Sequence, residues 1–303
     1  MNQPRINPYV AIIIGVISVS TSAILVKLNS APSGVTAFYR LFFSVLIMLP
    51  VFLIKYVGEL KTVTRRDWFF SVIAGVFLAF HFILWFESLN YTSVASSTVL
   101  VTLQPLFAFL GTYLFFKERF SPKAIIAGII AIIGSVIISW GDFQVSGSAL
   151  FGDILALFAC ALVTGYLMFG QTVRKRLSLV TYTFVVYSIS SITLLLYTFA
   201  VNEPLLPYPT SDWIYFILLA LIPTLLGHTL FNWALKWLST SIISMAILFE
   251  PVGATILAIL LLNEHVIWPQ IVGGTIVLGG ISLFLLDERK LKRKRMKESQ
   301  VAS

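Results

Sequence analysis

Long apolar stretches follow one another along almost the whole chain, and short polar segments separate them. A membrane-spanning helix needs about 20 largely apolar residues, which is the length of most of these stretches. Turn-forming pairs such as Ser121-Pro122 and interfacial residues such as Trp268 lie at their ends. The pattern predicts helices near residues 9–26, 34–56, 68–88, 92–116, 122–140, 150–170, 179–200, 212–237, 241–262 and 268–286. The expected fold class is an all-α membrane protein with ten transmembrane helices.

The composition agrees with a membrane protein and leaves little chain for a soluble domain. Of the 303 residues, 58% are hydrophobic and 11% are charged, whereas roughly 25% are charged in a typical soluble domain. Cys160 is the only cysteine, so a single chain cannot form a disulfide or a thiolate metal cluster. No metal site and no cofactor are expected.

The 21 lysines and arginines are divided unevenly between the two sides of the predicted bundle. Alternate loops and the termini carry 19 of them, while the loops of the other side carry only Lys27. Because cytoplasmic loops retain cations during insertion, both termini are predicted to be cytoplasmic, in the plasma membrane (the inner membrane of a bacterium). The net charge of +8 therefore reflects topology, and no nucleic-acid partner is expected. Binding of the basic tail to anionic lipid is the weaker interpretation.

An internal repeat appears when the chain is shifted by 146 residues against itself. The shift aligns Gln104-Pro105 with Glu250-Pro251, Glu118 with Glu264, Gly128 with Gly274, and Gly134 with Gly280. Since five helices per repeat is an odd number, the second copy must enter the membrane in the opposite direction. Inverted repeats of this kind place a substrate site near the bilayer midplane, where the two halves can move to give alternating access. The predicted units are residues 1–143, residues 148–287 and a basic tail, residues 288–303.

Short motifs in both copies resemble the EamA repeat of the drug/metabolite transporter superfamily, over residues 9–286. In the first copy they are Trp85, Asn90-Tyr91-Thr92-Ser93, Leu103-Gln104-Pro105-Leu106, Phe116-Lys117-Glu118-Arg119 and Gly128 to Gly134. In the second copy they are Trp233-Ala234-Leu235-Lys236, Phe249-Glu250-Pro251-Val252, Leu262-Asn263-Glu264-His265 and Gly274 to Gly280. The resemblance implies a ten-helix plasma-membrane carrier of metabolites, amino acids or related amphiphiles, usually moving them outward. It also implies a central cavity lined by helices that include the third, fourth, eighth and ninth.

Glu250 is the first candidate for chemistry, because it lies near the middle of its predicted span. A charge there costs at least ~2.5 kcal/mol on insertion scales, so a wet cavity that binds a substrate ammonium or a proton is the functional interpretation. A protonated glutamate satisfied within the bundle is the structural alternative. Pro251 should free a backbone carbonyl beside it. The counterparts in the first repeat are Gln104 and Pro105, so a single titratable site is expected.

Arg40 is predicted to lie about 9 Å inside the outer end of the second helix, within reach of the boundary by snorkelling. Glu87 ends the third helix on the same side. The residues therefore favour two interpretations equally. One is a structural ion pair between Arg40 and Glu87. In the other, Arg40 binds a substrate carboxylate.

His81 and Trp85 share one face of the third helix, and His228 and Asn232 repeat that spacing on the eighth. The two histidines are candidates for lining the cavity, although a hydrogen-bonded packing role is as good an explanation. Trp85 and Trp233 could supply aromatic walls for apolar or cationic cargo.

Glu118 and Glu264 close the fourth and ninth helices, where a carboxylate can accept backbone N–H bonds at a helix N-terminus. A structural role is the favoured interpretation for both. The first and fifth helices carry stripes of small residues, which are packing faces first and candidates for a homodimer second. These stripes consist of Gly15, Ser18 and Ser22, and of Ala127, Ala131 and Ser135.

The sequence contains no phosphate-binding Walker loop, no H-E-x-x-H and no G-x-S-x-G. A secondary carrier or facilitator that exports small metabolites is therefore the leading hypothesis, and proton coupling through Glu250 or His81 stays open. A membrane-embedded enzyme, or a sensor of a lipid-soluble molecule without transport, is the alternative. A channel is a third option. The inverted repeat favours a carrier, because alternating access uses that symmetry whereas catalysis does not need it.

Overall fold

The computed structural model describes residues 7–116, 121–145, 147–238 and 240–301, and within these ranges the regular structure is entirely helical. A 3₁₀ segment spans Val57–Thr62, and a π-helical segment spans Ala220–His228. The α-helices are α1 Pro8–Ser20, α2 Ser22–Leu28, α3 Ser33–Lys55, α4 Arg65–Tyr91, α5 Val94–Val101, α6 Gln104–Phe116, α7 Pro122–Val145, α8 Gly147–Val173, α9 Leu179–Ala200, α10 Thr210–Leu219, α11 Thr229–Ala234, α12 Thr240–Ile247, α13 Glu250–Leu262 and α14 Trp268–Val301.

Polar residues beside the apolar stretches fix where several helices begin. The side chain of Asn7 accepts a hydrogen bond from the backbone of Tyr9 at the start of α1. Thr64 and Asp67 form a reciprocal capping box at the start of α4. Ser178 caps α9 through the backbone N–H of Thr181. These bonds satisfy N–H groups that have no partner inside the helix.

All ten predicted stretches are helical, but four of them are interrupted. Six helical segments of the described chain are long and apolar enough to cross a membrane, and three shorter apolar helices accompany them. The first stretch breaks at Thr21, and the eighth contains the π-helical segment. The fourth and ninth are each divided into two half-helices, immediately before Gln104 and Glu250. The exact number of membrane crossings, ten, stays a prediction.

The packing of the helices follows the repeat that the sequence predicts. The 146-residue shift relates the third stretch to the eighth and the sixth to the first. The structure packs α4 along α8 and, correspondingly, α1 along the π-helical segment and α11. Two other pairs each join a helix to its own counterpart: α3 with α9, and α7 with α14. The half-helices of the fourth and ninth stretches pack crosswise, α5 with α13 and, correspondingly, α6 with α12. The two halves are therefore related by a pseudo-two-fold axis.

The seam between α7 and α14 shows that the related helices run in opposite directions. Gly273 lies against Ile138, and Gly280 lies against Ala131, so residue numbers fall along one helix as they rise along the other. A Cβ atom added at Gly273 would lie 2.6 Å from the carbonyl oxygen of Gly134. The two backbones thus touch without intervening side chains, which requires glycine here. Counterparts that pack antiparallel belong to repeats of inverted orientation.

The π-helical segment explains a change in register between the repeats. Asp67-Trp68 and Asp212-Trp213 stand 145 positions apart, whereas His81 and His228 stand 147 apart. The segment Ala220–His228 lies between these landmarks in the second copy, and its i→i+5 bonds hold more residues per turn than an α-helix does. The wider turns absorb the extra residues and keep His228 facing the centre of the bundle.

Candidate functional site

Two half-helices begin near the pseudo-two-fold axis, one in each repeat. Gln104 and Pro105 are the first residues of α6, and Glu250 and Pro251 are the first residues of α13. Proline is favoured at this position because it has no N–H to leave unpaired. A carboxylate at a helix N-terminus is favoured by the helix dipole. The hydroxyl of Ser20, from the first repeat, donates to the carbonyl of Glu250 at 3.3 Å and so joins the two halves here.

A narrow central cavity lies at these helix starts. The space open to water is about 30 Å³, room for roughly two water molecules. Its walls come from six of the ten predicted stretches. They consist of Val19, Ser22, His81, Trp85, Val101, Gln104, Val163, Leu167, His228, Phe231, Ile247 and Glu250. Five residues that the sequence predicted for the site, from both repeats, therefore lie around one cavity.

Several polar groups at this cavity lack a partner within the described part of the chain. Trp85 Nε1 and Gln104 Oε1 are buried without a hydrogen bond. Glu250 is 7% exposed, and no hydrogen bond or ion pair joins its carboxylate to another described residue. Unpaired buried polar atoms cost about 1–3 kcal/mol each. A ligand or water that enters the cavity can satisfy a donor and two acceptors.

The two histidines approach the cavity from opposite repeats. His81 Nδ1 lies 2.9 Å from the carbonyl oxygen of Ala159, and because a carbonyl only accepts, this nitrogen carries the proton. In the neutral ring, Nε2 is then an acceptor. The ring stacks on Trp85, with centroids 5.9 Å apart. His228 packs edge-on against Phe82, which lies between the two repeats.

Arg40 does not lie where the sequence predicted. Its side chain is 0% exposed, so snorkelling to the outer boundary is wrong. The predicted ion pair with Glu87 is also wrong, because Glu87 accepts hydrogen bonds from Ser33 and Asn90 instead. The physical reason is the packing of α3, which turns Arg40 toward the π-helical segment and the first helix break. Arg40 lies behind the cavity wall, bonded to the wall residue Ser22.

Asn232 and Trp233 lie outside the cavity wall. Asn232 is buried behind it and donates to the hydroxyl of Tyr166 and to the carbonyl of His228. Trp233, the next residue, projects from another side of the same turn and packs on Trp237, with the ring centroids 4.3 Å apart. The structure therefore does not bring Trp233 to the aromatic wall, and Phe231 takes that place.

The predicted structural role of Glu264 agrees with its contacts, although its partner is unexpected. Its carboxylate accepts the backbone N–H of Val94 at 3.1 Å, at the start of α5, and pairs with Lys27 at 3.4 Å. It thus caps a helix of the other repeat rather than the helix that follows it in sequence. Glu118, its counterpart, lies outside the described residues.

Two carboxylates that tie the repeats together were missed in the sequence. Glu59 accepts hydrogen bonds from the backbone and hydroxyl of Ser178 and from the hydroxyl of Thr181, at the start of α9. Glu203 accepts the backbone N–H of Val35 at 3.2 Å, at the start of α3. Each carboxylate lies in a connection between two long helices of one repeat and caps a helix of the other. Their spacing of 144 residues differs from the main register, so the repeat gave no signal for them.

Two larger clefts, of about 640 and 700 Å³, open between helices toward the membrane. Almost all of their lining side chains are apolar, as expected for surfaces that contact acyl chains. No cluster of metal-binding side chains occurs among the described residues. Among these three cavities, the narrow central one alone is lined by several titratable side chains.

An all-helical, multi-pass membrane bundle with inverted repeats around a polar centre is the architecture of a membrane transporter. The sequence model of the EamA-like transporter family matches residues 7–140 and 150–286. The chain belongs to this family.

Two relatives are named transporters, and each aligns with more than two thirds of this chain. The uncharacterized transporter YdfC of Bacillus subtilis (strain 168) is 23% identical over 218 residues, covering 71% of this chain and 70% of that protein. An uncharacterized transporter of Archaeoglobus fulgidus is 23% identical over 274 residues, covering 89% and 93%. A solved crystal structure superposes with a TM-score of 0.67 over 92% of this chain and 97% of that one, at 16% identity. That likeness concerns the fold alone.

Proposed function

We propose that the protein is a secondary transporter or facilitator that moves small metabolites, such as amino acids or related amphiphiles, across the plasma membrane. The cargo binds at the central cavity, and the two halves expose this cavity to each side in turn. The outward direction, and the cytoplasmic position of both termini, are parts of the proposal that rest on the family resemblance and on the distribution of cations.

The observation that carries the proposal is the Glu250 carboxylate at the junction of the inverted repeats, which has no hydrogen-bond or ion-pair partner among the residues that the structure describes. A buried carboxylate at this depth is costly unless it has a function or a partner. It can bind the ammonium group of a cargo or a proton. Trp85 Nε1 and Gln104 Oε1 lie on the same cavity wall and offer a donor and an acceptor for the remaining polar groups of the cargo.

Metabolite comparison followed by reconstitution tests the proposal. Intracellular and extracellular metabolites are compared between cells with and without the overproduced protein, and the most changed compound is then measured as flux in proteoliposomes. We expect saturable flux that Glu250→Gln abolishes or makes independent of pH. Glu250→Gln should still be inserted and monodisperse.

Glu87→Gln is the matched control, because Glu87 is a carboxylate of the same bundle that does not line the cavity. It should retain most of the flux. Flux that is unchanged in Glu250→Gln over the whole pH range would remove Glu250 from the mechanism. Flux that does not saturate would indicate a channel.

A further inference from the structure

Arg40 is held by contacts that leave part of its guanidinium free. Nε donates to the hydroxyl of Thr224 at 2.6 Å, and Nη1 donates to the hydroxyl of Ser22 at 2.8 Å. The planar group lies 4.1 Å above the ring of Phe82, a favourable cation–π distance. Nη2 is buried and has no hydrogen-bond partner among the described residues. The Arg40 side chain thus links the break in the first stretch to the π-helical segment, while its Nη2 group remains available as a donor.

The guanidinium also has no adjacent counter-ion within the described chain. The two ion pairs found there are Lys27–Glu264 and Arg176–Asp67, and neither involves Arg40. A buried charge of this kind is compensated by an opposite charge in nearly all proteins, because desolvating it alone is too costly. The hydroxyls and the aromatic ring that hold Arg40 are all formally neutral.

Five titratable groups interact electrostatically with Arg40. They are Tyr166, Tyr187, His81, His228 and Glu250. The tyrosines are neutral when protonated, and the histidines are neutral or positive, so Glu250 is the one carboxylic acid among them. Glu250 and Ser22 line the same cavity, and Ser22 is bonded to Arg40. The serine therefore stands between the cation and the cavity that holds the carboxylate.

We propose that Arg40 is the fixed counter-charge of Glu250, a separated charge pair that spans the cavity wall beside Ser22 and joins the two repeats. Arg40 comes from the first repeat and Glu250 from the second, and the pair has no charged equivalent because the positions related by the 146-residue shift hold Val186 and Gln104. Arg40 is a positioning residue that acts through Glu250. It compensates the carboxylate while the cavity is empty, and it leaves the carboxylate free to contact the cargo. This inference extends the proposed function to a second residue.

A double-substitution series tests the pairing by thermal unfolding in detergent, without any transport assay. Arg40→Gln leaves Glu250 uncompensated, and we expect the unfolding midpoint to fall by roughly 5–10 °C. Arg40→Gln combined with Glu250→Gln should recover about half of this loss, because the bonds to Thr224 and Ser22 are still absent. Arg40→Gln combined with Glu87→Gln, the matched control, should recover nothing.

The charge-conserving variant separates pairing from packing. Arg40→Lys should be more stable than Arg40→Gln, and adding Glu250→Gln to it should destabilise the protein instead of rescuing it. Additive losses in both double variants, or equal recovery by Glu87→Gln, would overturn the pairing. If Arg40→Gln fails to accumulate, accumulation of the two double variants is compared instead. The pair is supported if the double variant with Glu250→Gln accumulates and the double variant with Glu87→Gln does not. It is refuted if neither double variant accumulates. A protein that shows this coupling but carries no cargo would refute the proposed transport and leave the charge pair standing.

Discussion

Single residues show both the reach and the limit of inference from the sequence. Glu250 and Gln104 could be predicted as a related pair, because the repeat aligns them and the adjacent prolines mark a helix break. Arg40 could not be placed, because its distance from the helix end gives its depth but not the neighbours that surround it. The nearest carboxylate in the predicted topology, Glu87, is engaged with Ser33 and Asn90. Contacts between helices that are distant in sequence therefore determine the partners of Arg40, and these contacts are not encoded in the local pattern around it.

Gln104→Leu should separate function from stability at the cavity. The variant removes an amide whose Oε1 is buried without a partner in the described part of the chain, so the free energy of unfolding should stay the same or rise by up to about 1 kcal/mol. The apparent affinity for cargo should fall, because an acceptor on the cavity wall is lost. Thermal unfolding in detergent and the KM of transport in proteoliposomes measure the two effects.

Gln270→Leu is a matched control for this prediction. Gln270 is also buried, but its amide bonds to the hydroxyl of Ser93 and to the backbone of Ile267. Its replacement should lower the unfolding midpoint and leave KM unchanged. A clear loss of stability in Gln104→Leu as well would show that the amide is satisfied in the empty protein.

At the level of helices, the sequence predicts where apolar stretches lie better than how they are interrupted. All ten stretches are helical, since length and hydrophobicity determine them almost alone. The break at Thr21 has no proline within it. The π-helical segment contains Pro223, which indicates an irregular helix but not its type, and its additional residues appear only as a shift in register between the repeats. Such features depend on i→i+5 bonds and on neighbouring helices, which a local pattern does not encode.

The caps provided by Glu59 and Glu203 should respond to pH in opposite directions. Burial acts to raise the pKa of the Glu59 carboxyl, but the hydrogen bonds from Ser178 and Thr181 and the charge of Arg174 more than offset it, so this pKa is lowered. Its contribution to stability is present above the ordinary glutamate value of about 4.3 and is lost as the pH falls through the lowered value. Glu59→Gln should be less stable than the parent at pH 7, by about 1 kcal/mol. The difference should disappear in acid, as unfolding midpoints measured from pH 7 to pH 3 would record.

Glu203→Gln is the counterpart on the other face. Burial raises the pKa of the Glu203 carboxyl, the hydrogen bond from Val35 partly opposes this, and the charge of Glu87 raises it further. A raised pKa in an acid stabilises the folded protein when the group is protonated, and this advantage is lost as the pH rises toward the raised value. Glu203→Gln should therefore be at least as stable as the parent at pH 7. If the unfolding midpoints of Glu59→Gln and Glu203→Gln changed with pH in the same way relative to the parent, the opposite pKa shifts of the two carboxyls would be contradicted.

For the whole molecule, the inverted arrangement could be predicted because it rests on counting. An odd number of helices per repeat and the alternation of cations both predict that the second copy is inverted, and the antiparallel seam of α7 and α14 agrees with this prediction. The limits of the units, at residues 143 and 148, stay a prediction. The inter-repeat caps could not be predicted, because they depend on how loops meet helix ends after the halves have packed.

Labelling of single cysteines can test on which side of the membrane each loop lies. Cys160 is buried and is the only cysteine, so Cys160→Ala gives a background without reactive thiols. In that background, Lys61→Cys and Lys290→Cys should react with a membrane-impermeant maleimide only after the cells are opened. Thr210→Cys should react in intact cells. Reaction of Thr210→Cys and Lys61→Cys from the same side would contradict the inverted topology.

The small size of the central cavity bears on how the carrier would complete its cycle. With space for only about two water molecules, the cavity is far smaller than an amino acid or a similar metabolite. Cargo can therefore bind only if the walls move apart, so the six helical stretches that form them must shift against one another.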